Sequence, residues 1–164
     1  TFKHYLFSIL FALIATYFII EYFHPVIVSG NSMKPTLQNG DFMISTNTFH
    51  ETDIKRGDII VFEQDGFQLI KRVVGVPGDE IWIENGIIYV NGQESEHKFE
   101  LIEDAGILNE HILVLAAEYI CIGDNRNESL DSREFGPVKF EQIKYKILLT
   151  FEEKEEKNDK NKWF

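Results

Sequence analysis

The most apolar stretch of the chain covers residues 5–23, where Glu21 is the only charged residue. A helix of about 19 residues approaches the ~30 Å thickness of the hydrocarbon part of a bilayer. We therefore predict a transmembrane anchor over residues 5–23. A cleaved signal peptide is disfavoured because the run lacks a small-x-small cleavage site. A helix buried in a soluble core would show a polar face, and this run offers only Ser8 and Thr16 as small polar residues.

The distribution of charged residues predicts the orientation of the membrane span and the limits of the domain and tail that follow it. Lys3 precedes the span and Glu21 lies near its far end, which favours a single-pass protein of the cell membrane with a cytoplasmic N-terminus. Residues 24–151 then form an extracytoplasmic domain. Residues 152–164 are rich in charge and predict a solvated or disordered tail.

The pattern of residues 24–151 predicts an antiparallel, mainly β domain. Runs of β-branched and aromatic residues alternate with turn residues. No long helical run separates them, which disfavours a parallel sheet. Asn85-Gly86 lies between two such runs and predicts a hairpin with a type I′ turn. Residues 94–111 are polar and fit a loop, an insertion or a short helix. The predicted strands include Asp58–Phe62, Glu80–Glu84, Ile87–Val90, Tyr119–Ile122 and Lys144–Phe151.

Composition narrows the function. Lys and Arg total 16 and Asp and Glu total 27, so the formal net charge is −11 and nucleic acid is not a predicted partner. The single Cys121 excludes an intrachain disulfide and a Cys-rich metal cluster, and its apolar surroundings predict a packed side chain. There is no His-Glu-x-x-His motif, so we predict neither a metal nor another cofactor.

Three segments have compositions that are unusual for residues whose only role is to form strands and turns. The first, residues 28–37, is a cluster of small residues closed by Pro35, and Gly30 permits unusual backbone angles. Such a segment can expose one hydroxyl with free backbone N–H groups beside it. Taken alone, it is described better as a serine-rich turn.

The second segment begins at Phe67 and places a lysine among apolar residues. If it is a strand, Lys71 shares its face with Phe67, Leu69 and Val73. Burial disfavours the charged form of an amine and lowers its pKa, so that a lysine becomes a base near neutral pH. The alternative is that Lys71 reaches solvent from an edge strand. Arg72 lies on the other face and is predicted to form an ion pair.

The third segment, residues 123–133, is a polar loop that directly follows a predicted strand. Its charged side chains have spacings that allow ion pairs within the loop, although a simple solvated loop fits the composition too. Ser129 is a hydroxyl among these charges and is the candidate for a side chain held in place. The charged residues are Asp124, Arg126, Asp131 and Arg133.

In this order, the three segments resemble the sequence motifs of bacterial type I signal peptidases (leader peptidases). The family pattern reads Ser-x-x-Ser-Met-x-Pro-Thr-Leu or a close variant, then Lys-Arg-x-x-Gly-x-Pro-Gly-Asp, and then Gly-Asp-Asn-Arg-x-x-Ser-x-Asp-Ser-Arg. This chain carries all three nearly complete and in that order. The resemblance covers about residues 5–150. It implies a mostly antiparallel β fold, in agreement with the hydrophobic pattern.

The resemblance also implies roles for individual residues. Ser32 matches the nucleophile, Lys71 the general base, and Ser129 the serine that hydrogen-bonds to the base and orients it. The Ser32 N–H would donate to the oxyanion. Where many Gram-negative members have a serine as second donor, this chain has Gly30, as Gram-positive members do, and a backbone group or Ser29 would substitute. The residues that match those bracing the site are Asp124, Arg126 and Asp131.

The function implied by the resemblance is removal of N-terminal signal peptides from secreted pre-proteins by a membrane-bound serine endopeptidase. Ser–Lys chemistry through an acyl-enzyme needs no cofactor. The expected partners are signal peptides and the lipid bilayer. Ser32 follows Phe23 by only nine residues, so the site should lie close to the bilayer surface.

Three other functions fit the sequence less well. A Ser-His-Asp peptidase would need one of five histidines, none of which lies in a motif. A LexA-like self-cleaving repressor also uses Ser and Lys, but the membrane span and the acidic charge count against it. A catalytically silent, membrane-anchored homologue acting as a scaffold would be expected to have lost Ser32 or Lys71, and both are present.

Overall fold

The computed structural model describes residues 2–151, and the predicted charged tail lies outside the described residues. The chain begins with helix α1 (Phe2–Tyr22), none of whose residues is buried against the rest of the chain. The helix is long and apolar enough to cross a membrane. Because no residue of α1 is buried, the alternative of a helix buried in a soluble core is wrong.

The remainder is mainly β structure with a second short helix, α2 (Ser132–Phe135). Every strand pairing is antiparallel, which confirms the predicted fold class. The strands are β1 (His24–Ile27), β2 (Phe42–Thr46), β3 (Ile59–Gln64), β4 (Phe67–Gly75), β5 (Glu80–Glu84), β6 (Ile87–Val90), β7 (Gln93–Glu94), β8 (Ile112–Leu113), β9 (Glu118–Ile122), β10 (Val138–Lys139) and β11 (Ile143–Phe151).

The strands form two sheets of unequal size. The larger has seven strands in the order β1-β2-β11-β3-β4-β9-β10, and the smaller has four in the order β7-β6-β5-β8. Strand β4 therefore lies inside the larger sheet, between β3 and β9. Its pairing with β9 starts only at Arg72, so the first half of β4 has one free edge. This free edge lines the site described below.

The predicted hairpin turn is confirmed. Asn85 and Gly86 join β5 to β6, and both have positive φ, at 52° and 77°, as a type I′ turn requires. Strands β3 and β4 are joined by Asp65 and Gly66, with φ of 51° and 82°. The turn thus fixes the register that pairs Lys71 with its cross-strand neighbour.

Residues 94–111 form a loop with short ordered pieces. Besides the end of β7, the segment contains a single 3₁₀ turn at Gly106–Asn109, whose Leu108 is fully buried. Ile102 is buried as well, so the loop is attached to the core at two points. Of the three alternatives, a loop with one short helical turn describes it.

Two apolar clusters cover the opposite faces of the larger sheet. Along β9, Ile120 and Ile122 belong to the cluster shared with the small sheet, whereas Tyr119 and Cys121 belong to the other. Cys121 is fully buried and burial raises the pKa of its thiol, which confirms a packed side chain. A third cluster, around Met33, fastens the segment after β1 to the sheet. Its buried members are Val28, Met33, Leu37 and Met43.

Candidate active site

The structure brings Ser32 and Lys71 together although they are 39 residues apart in sequence. Their side chains are hydrogen-bonded, with 2.7 Å between Lys71 Nζ and Ser32 Oγ. Ser32 lies in the turn that follows β1, and Lys71 lies in the middle of β4, opposite Ile60 of β3. The turn is held against the sheet because its next residue, Met33, is buried in the third apolar cluster.

Lys71 is buried, with only 3 % of its surface exposed. Loss of hydration lowers the pKa of its amine below the ordinary lysine value, and the nearby Asp131 carboxylate acts in the opposite direction without cancelling the effect. Among residues 2–151 no carboxylate lies within ion-pair distance of Nζ. The alternative of a lysine that extends into solvent is therefore wrong.

The backbone around Ser32 is held from two sides. Gly30 has φ of +99°, a conformation that favours glycine, and its N–H donates to Asn39 Oδ1 over 2.9 Å. The Ser32 carbonyl accepts from the N–H of Asn125 at 3.0 Å. The Ser32 N–H itself has no acceptor within the described part of the chain. The Ser32 N–H is thus a free donor beside the Ser32 hydroxyl. The Gly30 N–H is not free, because it already donates to Asn39.

Ser129 lies beside the pair but is not bonded to Lys71. Its Oγ is buried and has no hydrogen-bond partner among residues 2–151. The hydroxyl lies against Gly123: a methyl group on Gly123 would be 2.2 Å from Ser129 Oγ and 2.5 Å from the Ser32 carbonyl oxygen. Glycine at this position therefore makes room for both serines. The role of Ser129 in orienting the base stays a prediction.

Asp131 and Arg133 form the ion pair within the loop that the spacing predicts. Arg133 Nε and Nη2 donate to the two carboxylate oxygens of Asp131, each over 2.8 Å. The same carboxylate accepts from the Gly123 N–H at 3.0 Å and begins helix α2 by accepting from the Arg133 N–H. Asp131 thereby fixes the loop, and its carboxylate is near enough to Lys71 to act on the pKa of the amine.

Asp124 pairs outside its own loop. Arg72 donates to both of its oxygens, from Nε at 2.8 Å and from Nη2 at 2.6 Å. Both side chains are buried, and this confirms the ion pair predicted for Arg72. Because Arg72 follows Lys71 on β4, the pair joins the loop to the strand that carries the base.

Arg126 is buried without a carboxylate partner among the described residues. Its guanidinium lies 5.0 Å from the centre of the Phe99 ring and donates to the carbonyl of His97 at 3.2 Å. Burial lowers the pKa of Arg126 to about 10. Neither contact was predictable, because the polar segment 94–111, which contains Phe99 and His97, carries no motif. The ion pair that the spacing allows between Arg126 and a carboxylate of its own loop is not formed.

A cleft of about 220 Å³ opens at the paired side chains. One wall is the stretch from Val26 to Ser29, and the other is the stretch from Gln68 to Lys71. Strand β1 pairs only with β2, and the first half of β4 pairs only with β3, so both walls carry free backbone groups. A larger cavity, of about 420 Å³ beside Arg56 and Ser95, includes neither Ser32 nor Lys71.

An antiparallel β domain that carries a serine hydroxyl bonded to a buried lysine amine has the arrangement of serine peptidases that use lysine in place of histidine. Within residues 2–151 no histidine is hydrogen-bonded to Ser32, so the Ser-His-Asp alternative is not supported. The chain belongs to the signal peptidase family: the family model described as "Signal peptidase, peptidase S26" matches residues 2–151.

Individual relatives agree with the family. Signal peptidase I of Bacillus caldolyticus is 35% identical over 140 residues, covering 76% of this chain and 77% of that protein. Signal peptidase I P of Bacillus subtilis subsp. natto is 36% identical over 140 residues (77% and 75%). Signal peptidase IB of Staphylococcus aureus strain COL is 30% identical over 146 residues (77% and 76%). A solved signal peptidase I structure from Enterococcus faecalis V583 is 26% identical, covers 58% of this chain and 97% of that one, and has a TM-score of 0.46.

Proposed function

We propose that this chain removes signal peptides from secreted pre-proteins at the membrane, with Ser32 as nucleophile and Lys71 as general base. The observation that carries the proposal is the 2.7 Å hydrogen bond between Ser32 Oγ and the buried Lys71 amine. A neutral amine at this distance can take a hydroxyl proton, and its lowered pKa favours the neutral form. No specific observation favours a silent scaffold or a self-cleaving repressor.

Acylation uses the hydroxyl, the amine and the free backbone donor. Lys71 Nζ accepts the Ser32 proton as Oγ bonds to the scissile carbonyl carbon. The negative charge that develops on the carbonyl oxygen is stabilised by the Ser32 N–H, which has no other acceptor within the described residues. The carbon–nitrogen bond then breaks, and the Lys71 ammonium returns its proton to the departing amine. The products are a free mature N-terminus, a Ser32 ester and a neutral lysine.

Deacylation repeats these steps with water. Lys71 takes a proton from a water molecule whose oxygen bonds to the ester carbon. The bond between that carbon and Ser32 Oγ breaks, and Oγ takes the proton back from Nζ. The signal peptide leaves as a carboxylic acid, which loses its proton to solvent, and the chain is restored without a cofactor.

The shape of the cleft favours an extended peptide as substrate. Its two walls carry backbone groups without a strand partner, and an extended chain placed between them can pair with both. The family resemblance implies small side chains at the first and third positions before the cleaved bond. We propose that such a segment of the pre-protein lies along β4 with its carbonyl at Ser32.

The short connection between α1 and Ser32 supports a position of the cleft near the bilayer. Ser32 follows the end of α1 by ten residues, which reach at most about 35 Å when extended. Ile27 and Phe42 are cross-strand neighbours beside the cleft and are 68% and 42% exposed, so an apolar surface is available toward lipid. We propose that α1 crosses the membrane with its N-terminus in the cytoplasm, and that the β domain acts at the outer surface.

The test is cleavage of a purified pre-protein by the full chain in detergent, with the new N-terminus determined by sequencing. Ser32→Ala and Lys71→Met are each expected to lower the cleavage rate by at least about a thousandfold. Matched controls are Ser95→Ala and Lys144→Met, which alter residues remote from Ser32 and should retain the rate. Cleavage by Lys71→Met near the wild-type rate would overturn the proposed base, and an inactive wild type would overturn the function.

A further inference from the structure

Among the described residues, the loop that follows β9 is hydrogen-bonded to the turn carrying Ser32 through one residue, Asn125. Its backbone N–H donates to the Ser32 carbonyl at 3.0 Å, and its side-chain Nδ2 donates to the Asn31 carbonyl at 3.1 Å. The same Nδ2 also donates to Glu128 Oε2 at 3.1 Å. Because a carboxylate only accepts hydrogen bonds, Glu128 fixes which end of the amide faces the turn.

The bond to Asn31 has a consequence for Ser32 because the two residues share a peptide group. The Asn31 carbonyl and the Ser32 N–H belong to one planar, trans peptide, in which they point in opposite directions. Asn125 and the Lys34 N–H both hold the Asn31 carbonyl. They therefore set the direction of the Ser32 N–H, the free donor beside the nucleophile.

We propose that Asn125 is a positioning residue that aims the Ser32 N–H at the oxyanion, with Glu128 keeping the Asn125 amide in register. The inference rests on the proposed function, in which Ser32 is the nucleophile. Within residues 2–151, Asn125 makes no hydrogen bond to Ser32 Oγ or to Lys71. The effect of the Asn125 side chain passes through the Asn31–Ser32 peptide group, whose carbonyl accepts its hydrogen bond.

The proposal predicts a defect confined to the transition state. Loss of a whole oxyanion donor costs about 10²- to 10³-fold in kcat, and Asn125→Ala only loosens a donor that Lys34 still helps to hold. We expect Asn125→Ala to lower kcat about tenfold with KM unchanged. Asn125→Asp removes the donor and directs a carboxylate at the Asn31 carbonyl, so its loss should be at least as large. Glu128→Gln presents an NH₂ group as well as an oxygen to the Asn125 amide and so no longer fixes its direction, and its kcat should fall between those of wild type and Asn125→Ala.

A matched control comes from the same loop. Asn127 donates to the carbonyl of Leu101 and accepts from the N–H of Glu103, so Asn127→Ala also loses two side-chain hydrogen bonds. These bonds do not reach the turn that carries Ser32. Asn127→Ala should lower the melting temperature about as much as Asn125→Ala while retaining kcat. This comparison separates loosening of the loop from misdirection of the donor.

The experiment measures kcat and KM for a pre-protein with the full chain in detergent, together with inhibition by a peptide aldehyde whose adduct with Ser32 carries an oxyanion. For Asn125→Ala, aldehyde binding should weaken by the same factor as kcat, and the pH profile set by Lys71 should not move. Wild-type kcat and aldehyde binding in Asn125→Ala, from an active wild-type chain, would overturn the inference alone. Equal kcat losses in Asn125→Ala and Asn127→Ala would overturn it too. Failure of the wild-type chain to cleave would instead overturn the proposed function.

Discussion

Lys71 and Arg72 are adjacent on β4, and their side chains lie on opposite faces of the sheet. The Lys71 amine meets the Ser32 hydroxyl at 2.7 Å, and the Arg72 guanidinium meets the Asp124 carboxylate at 2.6 Å. Alternation along the strand separates the two cations, and Asp124 neutralises the one that stays charged. Arg72 thus stays charged because Asp124 pairs with it, while Lys71, on the other face, has no such carboxylate partner among the described residues and can lose its proton.

The pH dependence of cleavage should follow the Lys71 amine. The base acts only when neutral, so kcat/KM rises with pH through the pKa of Lys71, and burial places this rise below the ordinary lysine range. Asp131 raises this pKa and Arg133 lowers it. Asp131→Asn should move the rise to lower pH and Arg133→Gln should move it to higher pH.

Opposite shifts distinguish electrostatics from general damage, because disruption of the Asp131–Arg133 pair would affect both variants alike. The measurement is kcat/KM for pre-protein cleavage across pH, with each variant's fold checked by circular dichroism. Asp65→Asn, on the turn between β3 and β4, is the control and should not move the profile. Shifts in the same direction for both variants would contradict this account.

The Arg72–Asp124 pair should be important for stability. Asp124→Ala leaves a buried guanidinium without its carboxylate, which costs about 3–5 kcal/mol of unfolding free energy. Replacing both partners with apolar residues, as in Arg72→Met with Asp124→Leu, should recover a large part of that loss. Chemical denaturation of the detergent-solubilised chain measures both.

The exposed pair of Lys144 and Glu63 supplies the comparison, with 3.5 Å between Nζ and Oε2. Glu63→Ala should cost less than about 1 kcal/mol because water screens that pair. If Asp124→Ala were no more damaging than Glu63→Ala, the buried pair would not brace the site.

Local sequence signals were sufficient to predict the geometry of the Asn85-Gly86 turn and the faces of β4 on which Lys71 and Arg72 lie. Asn85-Gly86 required positive φ at two successive residues, and strand alternation put Lys71 and Arg72 on opposite faces. The partner of Arg72 was not predictable, because Asp124 lies 52 residues away and only the register of β4 against β9 joins them. Phe99 was missed for a similar reason: nothing near it in sequence indicates that it covers Arg126.

Gly123 should be intolerant of even a methyl group. In Gly123→Ala the new carbon would lie 2.2 Å from Ser129 Oγ and 2.5 Å from the Ser32 carbonyl oxygen, so either the loop or the nucleophile turn must move. Because a displacement of about 1 Å can cost a hundredfold in rate, we expect a loss of at least that size. Gly66→Ala is the control, since it strains the backbone at φ of +82° but meets no atom within 4 Å.

Removing the Ser129 hydroxyl should not relieve the clash at Gly123. A methyl group on Gly123 would also lie 2.6 Å from Ser129 Cβ and 2.5 Å from the Ser32 carbonyl oxygen, so Gly123→Ala combined with Ser129→Ala should be at least as inactive as Gly123→Ala. A higher kcat in the double variant than in Gly123→Ala would contradict this packing account.

Ser129→Ala should separate catalysis from stability. The Ser129 hydroxyl is buried without a partner among residues 2–151, so its removal deletes no hydrogen bond and leaves the melting temperature unchanged or slightly raised. Hydrogen bonds between catalytic groups often tighten only when substrate is bound, and the family resemblance assigns this hydroxyl to the lysine. We therefore expect kcat to fall about 10- to 100-fold, while Ser95→Ala leaves it unchanged. Ser129→Thr keeps a hydroxyl and should retain more activity than Ser129→Ala. Wild-type kcat in Ser129→Ala would mean that Lys71 is oriented without it, by burial and by Ser32 alone.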